Sequence, residues 1–366
     1  MEVKYSDLPE QFPRNGALRN DILRDIETLV DTGDYTLGKA VGEFEEAFAK
    51  FSKVKHAIGV RSGTDALYLT LKALNIKQGH VGVTVPNTFV ATAAAIELAG
   101  ADVHFVDVGD DMLMPSYETF PRLPAGVVVP VDWGGDVADM DETKIMNAGV
   151  RIVHDACQAI GATLNGKNVA NLGHAAAFSL HPLKNLNVWG DGGVVTTNSD
   201  VIADRVRRLR DHGKMDRDTY PEFSFNARLE TIQAIVGKHV LKGLDEVTEK
   251  RINNARHYDA LLAGIKGVSV PERKPNVRHV YHLYQIFAED RDALQVFLGK
   301  NGIEAKVHYP KPLHLQPAMK NRYIDGDFPV AEWQSKRILT LPIHQHLTEA
   351  QIDYVALKVR EFAKGH

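Results

Sequence analysis

The sequence predicts an α/β protein: a large domain in which helices flank a mostly parallel sheet, followed by a smaller C-terminal α+β domain. From residue 56 to about residue 200, short apolar runs alternate with helical stretches, which is typical of a largely parallel sheet. After about residue 240 the pattern changes: a long helical stretch is followed by the runs Gly267–Pro271, Tyr284–Phe287 and Gly302–Tyr309, with helices between and after them. We therefore predict a large domain over residues 1–240, including an N-terminal segment, and a small domain over residues 241–366.

The predicted strands of the large domain are short and rich in valine, isoleucine and small residues, as buried strands are. In chain order they are His56–Val60, Val81–Val85, Val103–Val108, Val127–Val131, Ile152–His154, Ala175–Ser179 and Val194–Thr197. Apolar residues at helical spacing predict helices. The predicted helices are Asn20–Thr32, Ala66–Leu74, Thr231–Leu262, Arg291–Leu298 and Glu349–Ala363.

Composition and charge indicate an ordinary soluble enzyme. The 366 residues are 44% hydrophobic and 25% charged, enough for a large core, and the net charge of -4 is spread without a long run of one sign. We therefore expect neither a nucleic-acid nor a membrane partner, and no metal site. Cys157 is the single cysteine, which excludes an internal disulfide. Lys4, Asp7 and Glu10 interrupt any N-terminal apolar run, so we expect a cytoplasmic location.

A candidate anion site lies between the first predicted strand and the helix that follows it. Ser62, Gly63, Thr64 and Asp65 stand where this helix begins. Free backbone N–H groups and the helix dipole attract anions at such a position. Gly63 allows close approach of a phosphate, while Ser62 and Thr64 add hydroxyl groups. Ordinary helix capping would explain the same residues.

Asp155 directly follows a short apolar strand, Ile152–His154. Carboxylates are seldom buried unless they are paired. The protonated ring nitrogen of pyridoxal 5′-phosphate (PLP) would be a suitable partner, and Gln158 is placed to reach the same ring. The alternative is that Asp155 caps a helix.

Lys184 lies between the strand-like run Ala175–Phe178 and the turn Gly190–Gly193. A lysine held by such backbone geometry can form a Schiff base with an aldehyde cofactor. The alternative is a surface lysine beside a hairpin turn. Because ligands of parallel sheets bind beyond the carboxyl ends of the strands, we expect Lys184, Asp155, Phe89 and the segment Ser62–Thr64 to converge.

Further motifs follow one another in a fixed order along nearly the whole chain. They are Gly33–Gly38, Phe44–Glu46, Ser62–Leu67, Pro86–Thr92, Asp155–Ala159, Ser179–Lys184, Gly190–Gly193, Arg208–Gly213, Asn226–Leu229, His308–Pro310 and Leu341–Ile343. Together they resemble the PLP-dependent sugar aminotransferases typified by DegT and StrS, which have the aspartate aminotransferase fold (fold type I). Each motif is weak alone, and their joint order makes the resemblance specific.

The resemblance implies a cofactor-binding role for eight residues. Lys184 would hold PLP and shuttle the proton, Asp155 would pair with the pyridine nitrogen, and Gln158 would contact the phenolic oxygen. Phe89 would stack on the ring, and the phosphate would be bound by Gly63, Thr64 and Ser179. Asn226 would reach the phosphate of a neighbouring subunit's cofactor. The resemblance therefore implies a homodimer with active sites at the subunit interface.

The resemblance also implies ping-pong transfer of an amino group from L-glutamate to a keto-sugar, most often a nucleotide-linked one. The candidate substrate residues are Tyr35, Trp133, His308 and Tyr309. The chain departs from the family where many members have His-Leu-Tyr-Gly, since it has Asp132-Trp133-Gly134-Gly135. Trp133 either stacks on a substrate ring or packs beneath the cofactor loop. Asp132 adds a negative charge there, which leaves the identity of donor and sugar open.

Two other functional classes remain open from the sequence. One is a non-catalytic PLP-fold protein with a binding or regulatory role, which would not need Lys184, Asp155 and the phosphate residues all at once. The other is a PLP enzyme of another reaction type, such as a dehydratase. One branch of the family replaces the lysine by histidine and dehydrates its substrate, so Lys184 favours transamination.

Overall fold

The computed structural model describes residues 1–115 and 125–365. Its strands are β1 (His56–Val60), β2 (Val81–Thr84), β3 (Asp102–Phe105), β4 (Ala125–Val128), β5 (Arg151–Asp155), β6 (Thr163–Leu164), β7 (Lys167–Asn168), β8 (Ala175–Ser179), β9 (Gly193–Thr197), β10 (Val268–Ser269), β11 (Val277–Arg278), β12 (Tyr284–Ala288) and β13 (Ile338–Leu341).

The helices surround these strands. They are α1 (Leu8–Gln11), α2 (Ala17–Thr32), α3 (Lys39–Ser52), α4 (Gly63–Ala73), α5 (Val90–Leu98), α6 (Glu142–Asn147), α7 (Asp200–Leu209), α8 (Thr231–Leu241), α9 (Leu244–Leu262), α10 (Arg291–Lys300), α11 (Pro329–Arg337) and α12 (Glu349–Gly365). No helix in the described ranges is long and apolar enough to cross a membrane.

Seven strands of the described residues form the main sheet, in the order β1-β9-β8-β5-β4-β2-β3. β5 pairs in parallel with β4 and β8, and β2 pairs in parallel with β3 and β4. Only β9 runs against its neighbours β1 and β8. The predicted α/β class with a mostly parallel sheet is confirmed. The carboxyl ends of β1, β2, β4, β5 and β8 consequently lie at one edge of the sheet.

Three of the predicted strands are shorter than expected at their carboxyl ends, and the run predicted at Val81–Val85 is shorter by one residue. The run predicted at Val127–Val131 pairs as a strand only to Val128. Val129 still donates one hydrogen bond to the carbonyl of Val83, but Pro130 has no N–H to continue the ladder. The run predicted at Val103–Val108 likewise ends at Phe105.

The long helix predicted over Thr231–Leu262 is wrong, because the chain forms two helices there. α8 ends at Leu241 and α9 begins at Leu244. Gly243 lies in the break, where its poor helix propensity favours an interruption. This break lies close to the domain boundary that we predicted between residues 240 and 241. The domain boundary itself stays a prediction.

The C-terminal part has a small antiparallel sheet and a buried apolar cluster of its own. The sheet has the order β10-β12-β13, and the cluster includes Tyr258, Tyr284 and Leu294. Val3 is fully buried in the same cluster and bridges to Ile303. The N-terminal end of the chain therefore packs with the C-terminal part, across the predicted division.

Candidate active site

A cavity of about 400 Å³ opens at the carboxyl-end edge of the main sheet. This volume is typical of small-molecule sites. Nine residues predicted from the sequence line it: Gly63, Thr64, Phe89, Asp155, Gln158, Ser179, Lys184, His308 and Tyr309. The predicted convergence of segments from four strands and from the C-terminal part is thus observed, while the individual roles remain proposals.

Three predicted residues do not line the cavity. Asn226 and Tyr35 are exposed on the surface of the chain. The resemblance places Asn226 in a neighbouring subunit's site, so its position is compatible with that prediction. Trp133 is only 2% exposed and packs edge-on against Tyr309, with 5.6 Å between ring centroids. This burial favours packing beneath the site over stacking on a substrate ring.

Lys184 lies on a loop after β8 that several hydrogen bonds hold in place. The amide of Lys184 donates to the carbonyl of His181 at 2.8 Å, and the side chain of Asn185 donates to the carbonyl of Val280 at 2.8 Å. The amine of Lys184 makes no hydrogen bond or ion pair with any described residue. Burial lowers the pKa of Lys184, which increases its fraction of neutral amine. A neutral amine is both nucleophilic and basic.

Asp155 ends β5 and is 6% exposed. Its carboxylate accepts a hydrogen bond from the hydroxyl of Thr92 at 2.6 Å and one from the amide of Cys157 at 3.2 Å. Turns rather than a helix follow Asp155, so the alternative of a helix cap is wrong. The carboxylate is therefore oriented by Thr92 and is available to a partner in the cavity.

The predicted anion site lies at the start of α4. Ser62 caps this helix by accepting a hydrogen bond from the amide of Asp65 at 3.1 Å, so capping does occur. Gly63 and Thr64 begin the helix and line the cavity beside Ser179. A Cβ atom at Gly63 would lie 2.8 Å from the Cβ of Ser179 and 3.0 Å from the sulfur of Cys157. Space therefore requires glycine here, and the first turn of α4 is open to an anion.

Phe89, His308 and Tyr309 form an aromatic wall of the cavity. The ring of Phe89 is 53% exposed and lies 6.1 Å from the centroid of Tyr309. Nδ1 of His308 lies 3.0 Å from the hydroxyl of Thr340. Burial lowers the pKa of His308 to about 4, so its ring is neutral at neutral pH. Phe89 presents a free face, and His308 contributes no charge.

Gln158 connects the cavity to the segment that departs from the family pattern. Its side-chain oxygen accepts a hydrogen bond from the amide of Gly134 at 2.8 Å. This bond leaves the NH2 group of Gln158 as a donor for the cavity.

The departing residue Asp132 is fully buried and does not reach the cavity. Its carboxylate lies 3.0 Å from Nδ1 of His154, whose Nε2 lies 2.8 Å from Glu142. Burial disfavours the charged ring, but the two carboxylates outweigh it and raise the pKa of His154 to about 10. Asp132 therefore faces His154 rather than the cavity, and the charged ring of His154 offsets its negative charge.

Comparisons with known proteins show which family the chain belongs to. The model of the DegT/DnrJ/EryC1/StrS aminotransferase family matches residues 17–360. The chain belongs to this family. It is 37% identical to a pleiotropic regulatory protein of Geobacillus stearothermophilus, with 99% of each chain covered. It is 36% identical to a dTDP-3-amino-3,4,6-trideoxy-alpha-D-glucose transaminase of Streptomyces venezuelae, covering 99% of this chain and 96% of that one. The crystal structure of S. venezuelae DesV matches with a TM-score of 0.94 at 35% identity, covering 99% of each chain.

The protein is therefore an aminotransferase, and its cofactor is PLP. The cavity residues fit this group. The amine of Lys184 is free for the aldehyde, Asp155 offers an oriented carboxylate, and the cradle at Gly63 is too tight for a Cβ atom. Each of these three features suits a different part of PLP: the aldehyde, the ring nitrogen and the phosphate.

The cradle gives a first testable prediction for this aminotransferase. Replacing Gly63 by alanine is expected to weaken PLP binding by about tenfold or more and to destabilise the fold by ~1–3 kcal/mol, because the new methyl group overlaps Ser179. PLP titration and urea unfolding measure the two effects. Gly42→Ala is the control, since a Cβ atom at this helical position meets nothing within 4 Å. Unchanged PLP affinity in Gly63→Ala would show that the cofactor phosphate does not bind at the cradle.

Four titratable residues of the aminotransferase cavity were missed by sequence reasoning: Tyr5, Arg251, His282 and His344. They come from the N-terminal end and from three segments of the C-terminal part. No motif marks them, and Arg251 lies on a helix rich in charged residues, where arginine usually faces solvent.

Proposed function

We propose that this aminotransferase transfers an amino group from L-glutamate to a keto-sugar linked to a nucleotide, in two half-reactions of a ping-pong cycle. Sugar transamination is the activity named for curated relatives, including the dTDP-sugar transaminase above. The observation that carries the proposal is the unpaired, desolvated amine of Lys184, which shares one cavity with the oriented carboxylate of Asp155. That pair suits removal and return of a proton on a carbon next to an amine.

The residues of the chain would divide the chemistry among themselves. PLP, when bound, supplies an electron sink for the carbon that carries the amino group. Lys184 would remove the proton from the α-carbon of the donor and would return it to the cofactor carbon that is bonded to the same nitrogen. Asp155, held by Thr92, keeps the ring nitrogen protonated. The first turn of α4 and Ser179 hold the phosphate, while the NH2 group of Gln158 donates to the phenolic oxygen of the ring.

We also propose that the active unit is a homodimer. Asn226 and Tyr35 are exposed, and exposed aromatic side chains come shortly before Asn226 in the sequence: Phe223 is 100% exposed and Tyr220 is 51% exposed. Apolar groups exposed together mark interaction surfaces. Sedimentation equilibrium of the PLP-loaded protein measures the assembly, and a monomer at working concentration would contradict it.

A regulatory role is the second candidate function. The relative named a pleiotropic regulatory protein favours it, since that relative is 37% identical over nearly the whole chain. A binding role alone gives no reason for a desolvated lysine amine next to an oriented acid. Dehydration is less favoured, because the lysine is present at position 184.

The visible absorption spectrum of the purified, PLP-loaded protein tests the proposal. Adding L-glutamate is expected to convert the pyridoxal form to the pyridoxamine form once per site. With a panel of nucleotide-linked keto-sugars, 2-oxoglutarate is then expected to accumulate over many turnovers. D-Glutamate is the matched control for the donor. A bound cofactor that responds to no amino donor would contradict transamination and favour the regulatory candidate.

A further inference from the structure

Arg251 is a buried cation in the cavity wall that the chemistry described so far does not use. It lies on α9 and is 7% exposed. Its guanidinium donates to the carbonyl of Tyr281 at 3.0 Å and to the side-chain oxygen of Gln345 at 3.2 Å. Nε of Arg251 is buried without a hydrogen-bond partner. Among residues 1–115 and 125–365, no carboxylate forms an ion pair with it. A buried charge without a counter-charge is costly, so Arg251 is suited to pair with an anion.

The neighbours of Arg251 do not supply that anion. Burial raises the pKa of Tyr5, whose phenol therefore stays neutral. Burial lowers the pKa of His344 to about 4 and that of His282 well below its usual range, so both rings are uncharged at neutral pH. Arg251 itself keeps its charge, because burial lowers its pKa only to about 10. Arg251 thus carries a positive charge, and its cavity neighbours Tyr5, His282 and His344 are neutral.

The cofactor phosphate already has another binding place. The cradle formed by Gly63, Thr64 and Ser179 belongs to α4 and β8 of the main sheet. Arg251 belongs to α9 and lies with Tyr5 and His344, which come from the N-terminal end and the C-terminal part. The anion for Arg251 therefore comes with the substrate that fills the rest of the cavity.

We propose that Arg251 binds a carboxylate of the amino donor. This inference rests on the proposed function, in which an amino acid enters the cavity first. A guanidinium matches a carboxylate in shape and charge, and an arginine pre-held by two hydrogen bonds loses little freedom on binding. Arg251 and Lys184 line the same cavity, so a donor whose carboxylate binds Arg251 would have its α-carbon in the cavity that holds the amine of Lys184.

Binding of glutarate tests the inference, because glutarate has the carboxylates of glutamate but no amine to react. In calorimetric titrations of the PLP-loaded protein, Arg251→Gln is expected to raise the Kd of glutarate by about ten- to hundredfold. The concentration of L-glutamate that half-saturates the donor half-reaction should rise similarly, while PLP affinity stays unchanged. Arg256→Gln is the matched control: it removes the same charge from the same helix at an exposed position.

Other outcomes would overturn the inference. One such outcome is that Arg251→Gln binds glutarate as tightly as the unaltered protein does, and also binds L-glutamate as tightly. An effect confined to the second half-reaction would also do so, because it would assign the anion to the nucleotide-linked acceptor. If Arg251→Gln does not fold, Arg251→Lys is used in its place. In addition, the binding of glutarate to the unaltered protein is compared with the binding of its neutral diamide. Equal binding of the two compounds would contradict a carboxylate site.

The inference and the proposed function fail in different ways. Suppose that the unaltered protein does not react with L-glutamate but binds glutarate, and that Arg251→Gln does not bind glutarate. This result would contradict glutamate as the donor and support the carboxylate site. A protein that reacts with L-glutamate equally well with and without Arg251 would keep the function and remove the role of this residue.

Discussion

Lys184→Arg is expected to lower amino transfer by about a thousandfold or more while the protein still folds and binds some PLP. Arginine stays protonated at working pH, so it can neither attack the aldehyde nor remove a proton from the donor. Burial lowers the pKa of Lys184 and so favours its neutral amine, and the substitution removes that neutral amine. Initial rates of 2-oxoglutarate formation, with PLP content measured on the same samples, check this expectation.

Two comparisons sharpen the test of Lys184. Lys167→Arg makes the same exchange at an exposed position in β7 and should leave the rate unchanged. His181 lies three residues before Lys184 and is exposed, with its Nδ1 accepting from the amide of Leu183 at 3.3 Å. We expect it to provide no substitute base. Full retained activity in Lys184→Arg would overturn the proposed mechanism.

The positions of Lys184 and Asp155 could be predicted because both depend on local sequence. Each follows a short apolar run that forms a central strand, β8 or β5, and parallel strands bring their carboxyl ends to one edge. The cradle at Gly63 follows β1 in the same way. In these cases a period-two or continuous apolar pattern is enough to place a polar residue at the site.

The contribution of Arg251 could not be predicted, because it depends on packing between segments far apart in the chain. Its hydrogen-bond partners lie 30 and 94 residues further on, at Tyr281 and Gln345. The same reason applies to the surroundings of Asp132, which the sequence marks only as a departure from the family pattern. Its partner His154 lies on the neighbouring strand, 22 residues away, and only the pairing of strands shows that the two charges meet.

Asp155→Ala is expected to slow the donor half-reaction by about a hundredfold or more, because the ring nitrogen loses the group that keeps it protonated. The substitution also removes the acceptor of the Thr92 hydroxyl, which is buried with it. Leaving that hydroxyl without this acceptor is expected to cost ~1–3 kcal/mol of unfolding free energy. Single-turnover absorption changes measure the rate, and urea unfolding measures the stability.

A graded series separates the charge of Asp155 from its packing. Asp155→Asn keeps the shape and an acceptor for Thr92 but removes the charge, so it should retain more stability than alanine and still show most of the loss in rate. Thr92→Val keeps the carboxylate and removes only the hydroxyl that orients it, so a loss of about tenfold is expected. If Asp155→Asn reacted as fast as the unaltered protein, the carboxylate would have a structural role only, and another group would have to keep the ring nitrogen protonated. We expect Thr92→Val to react faster than Asp155→Asn. If the unfolding free energies of the two variants do not follow the same order, the loss in rate is assigned to the charge at the ring nitrogen.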